Sequence, residues 1–316
     1  MQQIILVVSA IVLGLGYGAV SGGFAFSSAV CLVAGVFLVT PSLFKFQLSD
    51  LGLIRNQLPS VGANLWVNYA FLTTVALIIG YLSGDIGIAG ALFLLALLPG
   101  GGMVMMWIKT SGANTKLGFI IFMLNLALLL PITLVFGMYF DLAQGFFPAP
   151  DLGAVDMASA GRQVMPFAPF MILIVIPFLL SRLARASFPA VVGFVEKHQP
   201  VISKATMFAI VFYLFSLTTS QMLFTVPASA LMTALVATGA FYAIAFLAAR
   251  YLTQNTPEGR AVYWHIATRY ITLALILAVF SIDTYGPTFI LPVMIAYFIQ
   301  IGAAGFLRTR MLARAA

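Results

Sequence analysis

The sequence predicts an all-α membrane protein, and three observations carry that prediction. Apolar residues fill 62% of the 316 positions and charged residues only 7%, whereas a water-facing surface needs roughly a quarter to a third of its positions charged. The apolar residues gather in runs of about 20, the length a helix needs to cross ~30 Å of hydrocarbon. The basic residues collect in alternate connections between those runs, which is the positive-inside pattern.

Ten transmembrane spans follow, at residues 4–20, 24–44, 63–82, 86–108, 117–140, 164–184, 201–220, 228–252, 261–282 and 288–307. The first run follows Met1-Gln2-Gln3, which lacks the basic stretch of a cleaved signal peptide, so it reads as a retained helix. With this count, the connections after even-numbered spans, the span ends that flank them and the C-terminus hold all 15 basic residues except Arg162 and Arg269. Arg162 falls on the opposite side and Arg269 inside span nine. Both termini are therefore expected in the cytoplasm of a multi-pass protein, such as one of a bacterial inner membrane.

The longest connections are residues 45–61, 141–165 and 188–200. The second of these is rich in Pro and Asp, follows span five and divides the chain into 5 + 5 spans. An odd number of spans makes the second half enter the membrane in the opposite sense, the inverted-repeat plan of secondary transporters. The halves, residues 1–140 and 160–316 of a single transmembrane domain, share no obvious residue-level similarity, so topology alone predicts the repeat.

Charge and composition exclude several functions. The net charge of +7 comes from scattered residues, not from a basic block or helix face, so nucleic acid is not an expected partner. Cys31 is the one cysteine, which rules out disulfides within the chain and thiolate clusters. No carboxylate pair or His/Asp/Glu cluster falls within a span, and no Gly-rich loop follows a strand. No enzyme, metal or cofactor is expected, and His198, in Glu196-Lys197-His198, reads as part of a solvated charge run.

The most informative segment is Leu98-Pro99-Gly100-Gly101-Gly102-Met103, near the middle of span four. Proline removes a backbone donor and clashes with the preceding turn, and glycine weakens helix while permitting close backbone approach. The freed backbone groups cannot face lipid, so the break must pack against protein or line a wet cavity. Two half-helix ends then point into the membrane, one offering N–H groups to an anion and the other carbonyls to a cation. The plainer reading is a kink whose glycines allow close helix packing.

In span nine, His265 and Arg269 are four residues apart and share a helix face. Arg269 lies ~13 Å from the cytoplasmic end at the helical rise. A charge at that depth costs at least ~2.5–3.5 kcal/mol if unpaired, and no acid lies in any span. Its partner is expected to be backbone carbonyls, water or a bound anion. Two roles are open: a structural cation clasping the break in span four, or direct contact with substrate. His265 reads as a satisfied polar residue at a helix end or as a proton-coupling group. Asn125, polar and alone in span five, either lines a cavity or bridges helices. Lys109 reads as an interfacial residue, and Met103, Met105 and Met106 as packing.

The order of these features resembles the bile acid:sodium symporter family and its relatives, the arsenite efflux carriers, distantly but over nearly the whole chain. Leu98-Pro99-Gly100-Gly101 stands where the symporters carry a Pro-Gly-Gly break. Met103-Val104, Trp107, Gly112 and Asn114 resemble the arsenite carriers' run after their own break. Pro287 and Pro292 are similar to the entry to the family's tenth helix, and the stretch from Thr40-Pro41 to Asp50-Leu51 to the exit from its second. The resemblance implies a core domain of helices 3–5 and 8–10, in which helices four and nine cross at their breaks. It also implies a panel domain of helices 1, 2, 6 and 7, with substrate bound between the two.

The departures bear on function. Val104 and Met105 stand where the symporters place Ser-Asn, and Gly118 and Phe122 at their hydroxyl positions on helix five. His265 and Arg269 align with their sodium-binding Glu and Gln. Sodium wants several oxygens, which apolar side chains and a cation do not offer. Gly100 aligns with the arsenite carriers' metalloid-binding cysteine and Thr272 with their helix-nine Glu. Helix nine also lacks the glycine expected at its break.

These readings together predict a sodium-independent secondary transporter of a small organic anion, with an arginine in place of the ion and protons as a candidate coupling ion. The alternatives are a sodium-coupled bile-acid-type symporter, a metalloid efflux carrier, or a binding or scaffold protein that does not transport. The candidate substrate contacts are Arg269, His265, Asn125, Thr272, Gly100, Gly101, Gly102 and Met103, and the helix break is Pro99 with Gly100, Gly101 and Gly102.

Overall fold

Away from water, backbone polar groups must bond one another, and an α-helix does this within a single segment. The computed structural model describes residues 2–25, 27, 29, 30, 33, 36, 37, 40, 44, 57–101, 103–148, 167–217 and 226–313. Among these the chain is helical almost throughout, without a strand and with two isolated backbone bridges. The first helices are α1 (Gln2–Ser21), α2 (Leu58–Ser83), α3 (Ile86–Leu97), α4 (Val104–Thr110) and α5 (Thr115–Ala143). They are followed by α6 (Phe167–Ser187), α7 (Pro189–Phe215), α8 (Ala228–Leu252), α9 (Pro257–Ala267), α10 (Ile271–Tyr285) and α11 (Ile290–Ala313).

Among the described residues, spans one, three, five, eight and ten of the sequence reading and the described parts of six and seven fall largely on helix, whereas spans four and nine are each interrupted. Most of span two, residues 149–165 of the Pro/Asp-rich connection (Arg162 among them) and Gly102 lie outside the described residues, while the start of that connection continues as helix through Phe146. Two helices, Leu58–Ser83 and Ala228–Leu252, are long and apolar enough to cross a membrane. Two bent pairs raise the number to 4 when each counts as one span. One is α5, which bends by 56° around Pro131, where proline forfeits a helical bond. The other is α6 with the start of α7, bent by 119°.

That second bend corrects the connection expected over residues 188–200. Only Phe188 leaves the helical region (φ −136, ψ 59), and α7 begins at once with Pro189 in its first turn. Proline is at home there because its missing N–H is one the helix would not use. The charges of Glu196, Lys197 and His198 suggested a loop but sit on helix.

The chain divides into two compact units. The first comprises Met1–Leu48 and Pro166–Thr225. In it α1 lies against α7 so closely that a Cβ on Gly14 would stand 2.7 Å from the Phe212 carbonyl oxygen. The chain leaving α1 is tied down by the Phe24 N–H, which donates to the Ser216 carbonyl at 2.9 Å. Arg185 of α6 donates to the Phe44 carbonyl and lies 3.8 Å from Glu196.

The second unit comprises Ser49–Met165 and Val226–Ala316. Its centre is α3, all 12 residues of which are buried, as expected for a helix apolar on every side. Close approach is built in by Gly80 of α2, whose added Cβ would lie 2.8 Å from Ala89 Cα of α3. At one end of this unit Asp85 caps α3 through the Ile88 N–H (3.0 Å) and accepts from the Thr288 hydroxyl (2.8 Å).

Candidate functional site at the crossing of two broken helices

Spans four and nine are both interrupted, for different local reasons. In span four α3 ends at Leu97, Pro99 cannot continue it, and Gly100 turns left-handed (φ +63) before α4 starts at Val104. A Cβ on Gly100 would stand 2.4 Å from Nδ1 of His265, and one on Gly101 2.8 Å from Cα of Tyr270. These glycines let span nine approach. In span nine α9 ends at Ala267, Thr268 is extended (φ −119, ψ 153) and α10 resumes at Ile271. Extended backbone suits β-branched and aromatic residues, so this break needs no glycine. The discontinuity of span nine, expected from resemblance but lacking a glycine signal, is present.

The two interruptions pair as a fragment of antiparallel sheet centred on Pro99 and Arg269. The Gly100 N–H donates to the Thr268 carbonyl at 2.9 Å, and the Tyr270 N–H to the Leu98 carbonyl at 2.8 Å. Pro99 and Arg269 thus form a non-hydrogen-bonded pair, whose own backbone groups point away from each other. Proline's missing N–H costs nothing at that position.

Side chains from neighbouring helices take up the groups that point away. Asn125 of α5 donates through Nδ2 to the Pro99 carbonyl at 3.2 Å and accepts from the Tyr69 hydroxyl of α2 at 3.3 Å. Gln300 of α11 accepts from the Arg269 N–H at 2.6 Å and donates to the Arg269 carbonyl at 3.2 Å. The Tyr242 hydroxyl of α8 in turn donates to Gln300 Oε1 at 3.1 Å. Two bonded arms result, Tyr69–Asn125–Pro99 and Tyr242–Gln300–Arg269, each a tyrosine, an amide and a broken-helix residue. Their members occur in the same order along the chain: Tyr69, Pro99, Asn125 and Tyr242, Arg269, Gln300.

The Arg269 side chain is 1% exposed. Nη1 donates to Asn68 Oδ1 (2.8 Å), Nη2 to the Ile266 carbonyl (2.8 Å), and the guanidinium carbon lies 5.6 Å from the centre of the Phe241 ring. A backbone carbonyl was among its expected partners; the Asn68 amide was not. Asn68 lies in the π-helical turn Trp66–Leu72 of α2, and its carbonyl, displaced from regular helical bonding, accepts from the Thr73 hydroxyl at 3.1 Å. No carboxylate is within ion-pair reach of Arg269 among the described residues.

His265 is fully buried in the last turn of α9, with Nε2 2.8 Å from the Gly118 carbonyl. That bond makes Nε2 the donor, while Nδ1 faces Gly100 and has no hydrogen-bond partner among the described residues. Thr272 is buried and accepts from the Tyr297 hydroxyl at 2.7 Å, and Met103 is half-buried just before α4. A pocket at the crossing is lined by Leu98, Pro99, Phe122, Asn125 and Tyr270. Of the expected substrate contacts, Asn125 both lines this pocket and bridges helices. Arg269, His265 and Thr272 are not part of its lining.

Polar contacts also fasten the far ends of the broken helices. Trp107 and Trp264 stack with centroids 5.6 Å apart, and Trp264 Nε1 donates to the Ser111 hydroxyl at 2.8 Å. Arg260 donates to the Ser111 carbonyl at 2.9 Å. Asn114 caps α5, donates its N–H to the Pro257 carbonyl (2.8 Å) and its amide to Glu258 (3.1 Å). The Asn114 amide, with Glu258's own backbone N–H, holds that carboxyl below its ordinary range. Asn64, Asn68 and Gln300 were missed in the sequence; the signal available was the amide side chain inside an apolar span, with Asn64 and Asn68 at helical spacing. No family model matches this chain, and no curated protein matches it.

Proposed function

We propose that this chain is a ten-helix secondary active transporter of a small organic anion, built as an inverted repeat and working by alternating access without sodium. The observation that carries this reading is the crossing of two broken helices with an arginine at the crossing and, among the described residues, no acid beside it. Irregular backbone at membrane depth is tolerated where it is buried in protein or lines a cavity, and transporters use such breaks to build substrate sites. The paired arms ending on Pro99 and Arg269 support the inverted repeat. The two compact units support a core of spans three to five and eight to ten and a panel of spans one, two, six and seven.

Sodium independence follows from what occupies the oxygens. The Asn68 amide oxygen and the Ile266 carbonyl, which a cation would require, accept from the guanidinium instead. Arg269 supplies the fixed positive charge and holds the crossing together. The substrate enters beside Asn125 and Tyr270, where the cavity of about 10 Å³ has room for one water and must widen to admit it, with Leu98, Pro99 and Phe122 toward its apolar body. The N-terminal end of α10, which begins next to Tyr270, favours a carboxylate over a cation.

Uptake of radiolabelled carboxylates by proteoliposomes tests the proposal. Uptake equal in sodium and potassium, and raised in KM by Asn125→Leu, is the expected result. A strict requirement for sodium, or binding without counterflow, would overturn it. His265→Gln tests proton coupling in the same assay: a pH profile flattened relative to the wild type assigns that role to His265.

A further inference from the structure

We propose that the cluster Arg269–Asn68–Asn64 binds a small inorganic anion, chloride in ordinary salt, as the counter-ion of the buried guanidinium. The inference begins with hydrogen-bond bookkeeping. Arg269 donates to one amide oxygen and one carbonyl, both neutral acceptors, and its Nε has no partner. Neutral acceptors satisfy hydrogen bonds but leave the net charge in place, and a buried charge without an opposite charge is costly.

The orientation of the amides is forced outward from Arg269. A guanidinium has no acceptor, so the Asn68 atom facing it must be Oδ1. Asn68 Nδ2 is then turned to Asn64, where it donates to Oδ1 at 2.9 Å and to the carbonyl at 3.0 Å. Asn64 must therefore present Oδ1 to Asn68, which leaves its own Nδ2, fully buried, with no partner. On α8 the Thr238 hydroxyl is likewise buried without a partner, on the helix face that carries Phe241 and Tyr242.

The unspent groups are thus the Arg269 Nε–H, the Asn64 amide N–H at the other end of the Asn68 bridge and a hydroxyl on α8, all of which can donate, and the guanidinium keeps its positive charge. A water molecule would accept from them but would bring hydrogens of its own and no charge. An anion meets both needs. Every member of the cluster is buried, so the anion must be compact, and a halide fits that description better than a carboxylate carrying a body. The site is separate from the pocket, which neither Arg269 nor Asn64 lines. It does not depend on transport.

The full chain purified in detergent provides the test, with chloride exchanged for gluconate at constant ionic strength. Chloride is expected to raise Tm by about 3 °C, saturably, with bromide equivalent and sulfate ineffective. Asn64→Asp keeps the acceptor for Asn68 and supplies a built-in negative charge where the free amide stood. This variant should be as stable in gluconate as the wild type is in chloride, and should no longer respond to halide. Crystals grown in bromide should show an anomalous peak beside Arg269 in the wild type and none in Asn64→Asp. Equal Tm in chloride and gluconate, a halide response surviving in Asn64→Asp, or a bromide peak elsewhere only would each overturn the assignment.

Discussion

Pro99 and Arg269 face one another across two broken helices as a non-hydrogen-bonded antiparallel pair. That relationship explains how a proline can sit in a pairing that ordinarily excludes it. The bonds flanking the pair join Gly100 to Thr268 and Tyr270 to Leu98. The outward carbonyl of Pro99 and both outward groups of Arg269 are met by amide side chains. The crossing is therefore held by backbone bonds inside and by Asn125 and Gln300 outside.

The two amides should differ in weight. Gln300→Leu removes partners from the Arg269 N–H, the Arg269 carbonyl and the Tyr242 hydroxyl, all buried. At about 1–3 kcal/mol for each unsatisfied group, the loss should exceed ~3 kcal/mol. Asn125→Leu strands only the Pro99 carbonyl and a part-buried tyrosine hydroxyl, and should cost about 1–2 kcal/mol. Thermal unfolding in detergent measures both, and the reverse order would contradict the geometry.

Gly100→Ala should be among the most damaging single-methyl additions in the chain. The added Cβ would lie 2.4 Å from His265 Nδ1, on a ring fixed by Gly118, in a backbone conformation with φ +63. Left-handed strain costs roughly 1–2 kcal/mol and overpacking a further ~1–3 kcal/mol. Gly112→Ala is the control, because φ is +66 there but the nearest atom is Arg260 Nη1 at 3.3 Å. It should lose only the strain. Comparing the two melting temperatures isolates the contact with His265.

Acid should expose the tie between Asn114 and Glu258. The folded carboxyl titrates below the ordinary glutamate range because Asn114 and its own backbone N–H donate to it. A depressed carboxyl stabilises the fold above the unfolded value, and this contribution is lost as pH falls through the folded one. Wild type should therefore melt above Glu258→Gln at neutral pH, with the gap closing as acid takes the solution below the ordinary glutamate range. A gap that widened toward acid would have the wrong sign.

The parts of this site that break a composition rule were legible in the sequence. Four consecutive helix breakers in span four and a lone arginine in span nine each carry a cost that stands out in an apolar run. The break in span nine left no such mark, because Thr268 is extended and not left-handed, so no glycine was needed. Asn64, Asn68 and Gln300 are uncharged, and an amide in a span is cheap enough to pass for packing. The helical start of α7 was hidden by its charges, although Pro189 in the first turn is a start signal.

Arg269 decides between a clasp and a substrate contact, and three variants separate those roles. The guanidinium spends one arm on Asn68 in α2 and the other on the Ile266 carbonyl at the end of α9. A clasp acts through stability, so Arg269→Ala should lower Tm and lose transport together. Arg269→Lys restores the charge but reaches two acceptors in a fixed fork poorly, and should recover only part of each. Arg269→Met keeps much of the apolar stem over Phe241 without the charge or the bonds. It should melt between Ala and wild type, with no gain in transport over Ala. If Arg269→Ala instead melted with the wild type while carboxylate binding vanished, the guanidinium would belong to the substrate. The bonds to Asn68 and Ile266 would then describe only the resting position of a group that turns toward the pocket when the anion arrives.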